Sequence, residues 1–266
     1  MSNKKNKKSD HVKALLDSAH SDGTLSVAAR RVLDVVDLGA QIQAGLGVAV
    51  DDVESSEVIL VAMMPDDSGS IRFAGNAAVV REGHNLILEA LAACRQRDQI
   101  FVHNRYLNGT VLYPYTAVDA ATRMNSGNYD PNQGTPLYDQ TVVLLGTVLA
   151  KAQEFTDAGV PVRTITLLIT DGADVHSTRA SAKHVAALVQ DMLAAENHIV
   201  AAMGIDDGAT DFRQVFRDMG LPDSWVLTPA SSATEIRKAF QVFSQSAVRA
   251  SQSASFSKSA LGGFVN

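Results

Sequence analysis

Asp66, Ser68 and Ser70 stand at alternating positions directly after the apolar run Val58-Ile59-Leu60-Val61-Ala62-Met63-Met64-Pro65. In an extended or looping backbone, positions i, i+2 and i+4 can point the same way. One carboxylate and two hydroxyls would then converge on one point. Three hard oxygens so placed suit a hard cation, Mg²⁺ before Ca²⁺. Asp67 occupies an intervening position, so its side chain is expected to face solvent or a neighbouring loop. Thr135 precedes Pro136 and an amphipathic stretch, which puts Thr135 near a helix N-cap and Pro136 at the first helical position. Asp171 closes a second apolar run, Ile165 to Thr170, and is followed by Gly172. If both runs are parallel strands, Asp66 and Asp171 share the carboxyl edge of one sheet, where open α/β sheets bind ligands.

Taken singly, each of these residues has a plainer reading. Asp and Ser after a strand bond their own backbone in turns, Thr caps helices, and Asp-Gly is turn chemistry. Their joint occurrence at one sheet edge favours a cation site.

Strand and helix patterns alternate along the chain, so the expected fold class is α/β: a doubly wound, mostly parallel sheet. Strands are expected over Val58–Met64, Ile100–Tyr106, Val111–Tyr115, Val162–Thr170, His198–Ile205 and Trp225–Thr228. Asn108-Gly109 between the second and third predicts a two-residue hairpin, hence one antiparallel edge strand. Helices are expected over His84–Arg95, Leu137–Thr156, Ser181–Glu196, Asp211–Met219 and Thr234–Ala250. Before the first strand, Val12–Ala19 and a single longer helix over Ser26–Ala44 form an N-terminal helical extension. Its apolar residues need to pack on the core or on a partner. Met1 to Asp10 is Lys-rich and is expected to be disordered. The domain organisation read from this is 1–55 basic tail and helical extension, 56–250 α/β domain, and 251–266 Ser-rich flexible tail.

Asp-x-Ser-x-Ser at 66–70, a loop Thr135 before Pro136-Leu137, and a strand ending in Thr170-Asp171-Gly172 together resemble the von Willebrand factor A (vWA) family. The resemblance covers roughly Ser56 to Ala250. It implies a Rossmann-like fold and a metal-ion-dependent adhesion site on Asp66, Ser68, Ser70, Thr135 and Asp171. It also implies a free coordination position for an acidic residue of a protein partner, and a Thr135 loop that moves when that ligand arrives. For intracellular relatives, an AAA+ ATPase or a multi-protein assembly is the implied partner. Pro65, Asp67 and Ile71 depart from the family's usual residues, and none of them removes a ligand.

The chain has 266 residues, 46% of them hydrophobic, and a net charge of −6, which leaves no general nucleic-acid footprint. Lys4, Lys5, Lys7 and Lys8 lack the apolar segment a signal peptide needs behind them, and no apolar run is long enough to span a bilayer. Cys94 is the only cysteine, so an intrachain disulfide is impossible and a cytoplasmic setting is expected. Catalysis is not expected. A phosphatase of the haloacid dehalogenase type needs a second Asp where Ser68 stands, and no phosphate loop or nucleophile elbow is present. The expected function is a metal-dependent protein–protein interaction module using Mg²⁺, with Mn²⁺ or Ca²⁺ as alternatives. The competing readings are a scaffold with a purely structural metal, and a metal-dependent hydrolase using Asp66 and Asp171.

Overall fold

The computed structural model describes residues 2–35, 38–253 and 263–264. Its centre is a six-stranded sheet of β1 (Val58–Pro65), β2 (Ile100–Arg105), β3 (Val111–Ala117), β4 (Val162–Thr170), β5 (His198–Gly204) and β6 (Val226–Leu227), in the order β3-β2-β1-β4-β5-β6. All neighbours are parallel except β2 and β3. β1 is buried along its whole length because helices cover both of its faces. The chain winds outward from β1 to β3 on one side and resumes at β4 on the other. The strand order therefore reverses between β1 and β4, and their carboxyl ends flank the crevice this creates.

One face carries α1 (Ser2–Ser21), α2 (Val27–Leu33), α3 (Leu38–Leu46), α6 (Leu137–Asp157), α7 (Ala182–Ala194) and α8 (Phe212–Asp218), packed over Leu60, Ala62 and Leu168. The other carries α5 (Ala77–Ala92) and α9 (Ala233–Gln252), packed over Val61, Met63 and Leu167. Gly83 sets the closeness of α5 to α9, since a Cβ there would lie 2.1 Å from the Phe240 ring. The short helix α4 (Gly69–Phe73) follows directly on Ser68.

The N-terminal extension packs on the core. Val12, Leu15, Leu16, Leu33 and Ile42 join the same buried cluster as Leu144 and Val148 of α6. Several sequence expectations need correction here. The segment expected to be disordered is helical from Ser2 onward, because Lys is a good helix former and buried Val12, Leu15 and Leu16 anchor the later turns. The single helix over Ser26–Ala44 is two, α2 ending at Leu33 and α3 starting at Leu38, with Val36 and Asp37 outside the described residues. α5 begins seven residues before His84, launched by Gly75 at φ +75° and Asn76. The β2–β3 hairpin has a longer turn than Asn108-Gly109 alone. The Gly109 amide donates to Tyr106 O, the Tyr106 amide donates to Thr110 O, and only Gly109 of the turn has positive φ. That is a three-residue loop closing on a left-handed glycine. Of the C-terminal tail, residues 254–262 and 265–266 lie outside the description, while Phe264 packs edge-on against Trp225 and Phe243.

Candidate metal centre

Pairing between β1 and β4 sets Pro65 opposite Ile169, so the residues after each strand emerge side by side. The Asp66 amide donates to Ile169 O at 2.9 Å, fixing the first turn of the loop. The Asp66 carboxylate is fully buried. Its Oδ1 accepts the Ser68 amide at 2.7 Å, and its Oδ2 accepts the Thr170 hydroxyl at 2.7 Å. Ser68 Oγ lies 2.8 Å from Ser70 Oγ, and Ser70 Oγ donates to Asp171 Oδ1 at 2.6 Å. Asp66, Ser68, Ser70 and Asp171 therefore form one hydrogen-bonded row. Asp66, Ser68 and Asp171 are buried and Ser70 is exposed, so the row opens to solvent at Ser70.

Thr135 approaches from the third loop. Gln133, two residues earlier, accepts the Gly69 amide and donates to Asp67 O, which ties this loop to the Asp66–Ser70 loop. Thr135 is buried, and its amide donates to Nδ1 of His176 at 2.9 Å. Its carbonyl accepts the amides of Val175 and His176. These bonds hold Thr135 outside the helix, so the N-cap of α6 is Pro136 and not Thr135. Capping comes instead from across the fold: Asp174 Oδ1 accepts the Tyr138 amide, and Ser177 Oγ accepts the Asp139 amide. Asp139 in turn accepts the amides of Thr178, Arg179 and Ala180. The Thr135 loop and the loop after β4 are thus clamped together. No hydrogen bond joins the Thr135 side chain to the other four residues, so the structure brings Thr135 beside the row without linking it.

Electrostatics single out the carboxylates. Burial pushes the Asp66 carboxyl up, against the hydrogen bonds from Thr170 and Ser68. Burial likewise raises Asp171 to about 6, with the Asp66 charge adding to the effect. Asp67 is raised to about 7 by burial, and its Oδ1 accepts the Asn108 amide at 2.9 Å, so it faces the neighbouring hairpin. Among the described residues, none of the three pairs with a Lys, Arg or His. Nor do three His, Cys, Asp or Glu side chains come together as a metal cluster among them. A cation here would need the hydroxyls of Ser68 and Ser70 as well as the two Asp oxygens. That all-oxygen, carboxylate-poor set fits Mg²⁺, which keeps several waters and needs few carboxylates.

Several contributors escaped sequence reasoning. Thr170 orients Asp66, and its only signal was its place just before Asp171. Tyr129, buried with Tyr113 and Tyr115, donates its hydroxyl to Asp66 O, a contact that spans the Asn-rich loop and has no local signature. Asp206 and Asp207 take no part in the row. The Asp207 carboxylate accepts the amides of Ala209 and Thr210, and Asp211 caps α8.

The chain matches no protein-family model and no curated protein. Solved structures do resemble it. The open conformation of the pilus adhesin SpaC from Lactobacillus rhamnosus GG aligns with a TM-score of 0.54 at 15% identity, over 74% of this chain and 30% of that one. This chain therefore spans under a third of the adhesin's length. Looser matches are the SpRpn10 VWA domain, with a TM-score of 0.47 at 10% identity over 68% of this chain and 93% of that one, and proximal thread matrix protein 1 from the mussel byssus with a zinc-occupied MIDAS motif, with a TM-score of 0.47 at 17% identity over 74% and 47%. At such identities the likeness concerns the fold alone. Sheet order, the antiparallel edge strand and the crevice between β1 and β4 agree with it: the chain has a von Willebrand factor A-like fold, preceded by three packed helices.

Proposed function

We propose that this chain is a protein-interaction module whose recognition group is a divalent cation, Mg²⁺ before Mn²⁺ or Ca²⁺, held by Asp66, Ser68, Ser70, Thr135 and Asp171. One observation carries the reading. The row Asp66–Ser68–Ser70–Asp171 buries two carboxylates with no cationic side chain beside them among the described residues, and it opens to solvent at Ser70, between Ser68 and Asp171. Buried carboxylates lacking a counter-charge are costly, and they favour a proton or a cation.

When bound, the cation would supply an electropositive position able to take an oxygen ligand from outside. The protein's own residues do the rest. Thr170 and the Ser68 amide hold Asp66 in one orientation. Ser70 holds Asp171. The hydroxyls of Ser68, Ser70 and Thr135 offer oxygens without adding negative charge, so the site retains an attraction for an acidic side chain of a partner. The clamp between Thr135 and residues 174–177 fixes the third loop at the rim. The row contains no base poised on a nucleophile, and we read binding here, not turnover. A cytoplasmic protein such as an AAA+ ATPase, or a multi-protein assembly, is the class of partner that the family resemblance suggests.

The test is capture of partners from the native cell on immobilised protein in Mg²⁺ and in EDTA, with wild type and Asp66→Ala. Partners should be retained only by wild type and only in Mg²⁺. Equal retention in EDTA would sink the reading and favour a scaffold.

A further inference from the structure

The carboxyl edge of the sheet carries more than the five candidate ligands. Among the described residues, the two most exposed large apolar side chains are Phe73 at 85% and Val175 at 71%. Phe73 follows Ser70 by three positions and Val175 follows Asp171 by four, so both flank the row. Phe73 shares a cleft wall with Ser70 and Asp171, so its exposed ring offers an apolar surface at the row. Beside the row lies a cleft of about 580 Å³ whose walls include Ser70, Phe73, Asp171, Asp206 and Asp207. Asp206 and Asp207 are exposed. Their oxygens accept only the Gly208, Ala209 and Thr210 amides and the Thr210 hydroxyl, and neither pairs with a cationic side chain among the described residues.

An acidic partner group approaching Ser70 must pass these two carboxylates. Like charges brought together at an interface select against a partner unless it also brings the opposite charge. We propose that the cleft reads a second feature of the same partner: a Lys or Arg within a few residues of the acidic side chain, with an apolar residue seated on Phe73. The inference rests on the cation site proposed above. A purely acidic segment would meet repulsion from Asp206 and Asp207, and a purely basic one would gain nothing from the cation.

Selection of a phage-displayed random heptapeptide library on the full chain in Mg²⁺ tests this. Targets are wild type, the double variant Asp206→Asn with Asp207→Asn, and Phe73→Ser. Asn keeps an acceptor oxygen for the loop amides, and at 207 its side-chain N–H can donate to the Thr210 hydroxyl that Asp207 now accepts, so the loop keeps its bonds while the charge is lost. Wild type should enrich peptides that combine Asp or Glu with a nearby Lys or Arg and an apolar residue. The double variant should lose the Lys/Arg enrichment and bind the best wild-type peptide about tenfold more weakly, with Mg²⁺ uptake by calorimetry unchanged. Phe73→Ser should lose the apolar preference. Acidic peptides enriched without a basic residue, or a basic preference that survives in the double variant, would overturn the inference while leaving the cation site standing. Absence of Mg²⁺ uptake by wild type would overturn the cation site, and this inference with it.

Discussion

The molecule buries charged groups in two places and treats the Asp66–Asp171 pair and Lys151 in opposite ways. At the carboxyl edge, Asp66 and Asp171 meet hydroxyls and amides but no cationic side chain among the described residues, and the row opens to solvent at Ser70. Beneath α3 the buried groups are basic. Arg105 donates to Gln41 O at 3.2 Å, and Lys151 donates to Val48 O and to Glu154 at 2.6 Å. Both carbonyls belong to the N-terminal extension and the segment that follows it. Lys151 is therefore sealed by the chain itself, through Glu154 and the Val48 carbonyl, and staples the extension to the core, whereas Nε and Nη1 of Arg105 meet no hydrogen-bond partner among the described residues. The acidic set has no such partner among the described residues, and under the proposed function a cation takes that place. Burial of a charge is a structural device where the fold supplies the partner, and a binding device where it does not.

The harshest way to break this comparison is to remove the seal. A chain lacking residues 2–53 uncovers the face of α6 that packs Leu144 and Val148 against Leu33 and Ile42. It should aggregate or run as a broad species on size exclusion. A monomeric, cooperatively melting truncation would show that the extension is dispensable.

A gentler test sets one variant against another. Lys151→Ala takes the buried ammonium from the half-buried Val48 carbonyl and from Glu154, a loss of about 3 kcal/mol, or roughly 10 °C in melting temperature. Asp66→Asn keeps much of the local bonding and removes an uncompensated buried charge. In EDTA at pH 8 it should melt no lower than wild type, and it should lose any stabilisation by Mg²⁺. Equal destabilisation by the two variants would erase the distinction drawn here.

The pH dependence sharpens the same contrast. Asp66, Asp67 and Asp171 have folded pKa values raised above their unfolded ones, the latter two to about 7 and about 6. The contribution of Asp67 and Asp171 to stability is full below about pH 4 and is lost as pH rises through 6 to 7, and Asp66 acts in the same direction. His84, His103 and His198 are held low by burial, at about 4, 3 and 4, and lose stability as pH falls below about 6.5. The two effects oppose each other in the metal-free protein. They separate in the difference between melts with and without Mg²⁺, to which the histidines contribute equally in both arms. That difference should grow from pH 5 to pH 8, and a flat difference would speak against the carboxylates as ligands.

The smallest expected effect is at Thr135. Removing its hydroxyl takes away one neutral oxygen without changing charge. Thr135→Ala should weaken capture of an acidic partner severalfold and Mg²⁺ uptake less. A variant that captures as well as wild type in Mg²⁺ would place Thr135 outside the site.

The meeting of Asp66, Ser68, Ser70 and Asp171 could be read from the sequence because its signals are local. Two apolar runs must be buried strands, and the polar residues after Pro65 and Thr170 must emerge at their ends. The mostly parallel sheet and its antiparallel edge strand followed from the alternation of elements and the hairpin at Asn108-Gly109. What stayed hidden depends on contacts far apart in the chain. Thr135 reads as an N-cap by composition, yet Asp174 and Ser177, more than 30 residues away, take that role and pull Thr135 out of the helix. The Lys-rich start reads as disordered by charge, yet its later turns carry Val12, Leu15 and Leu16 into the core. The break between α2 and α3 interrupts an apolar pattern that continues across it, so periodicity alone joined them.

Titration calorimetry of Mg²⁺ into wild type and Asp66→Ala, with circular dichroism to show that both are folded, tests the central claim most directly. One ion should bind per wild-type chain, and none to Asp66→Ala. A folded Asp66→Ala that takes up Mg²⁺ with wild-type affinity, or a folded wild type that takes up none, would contradict it.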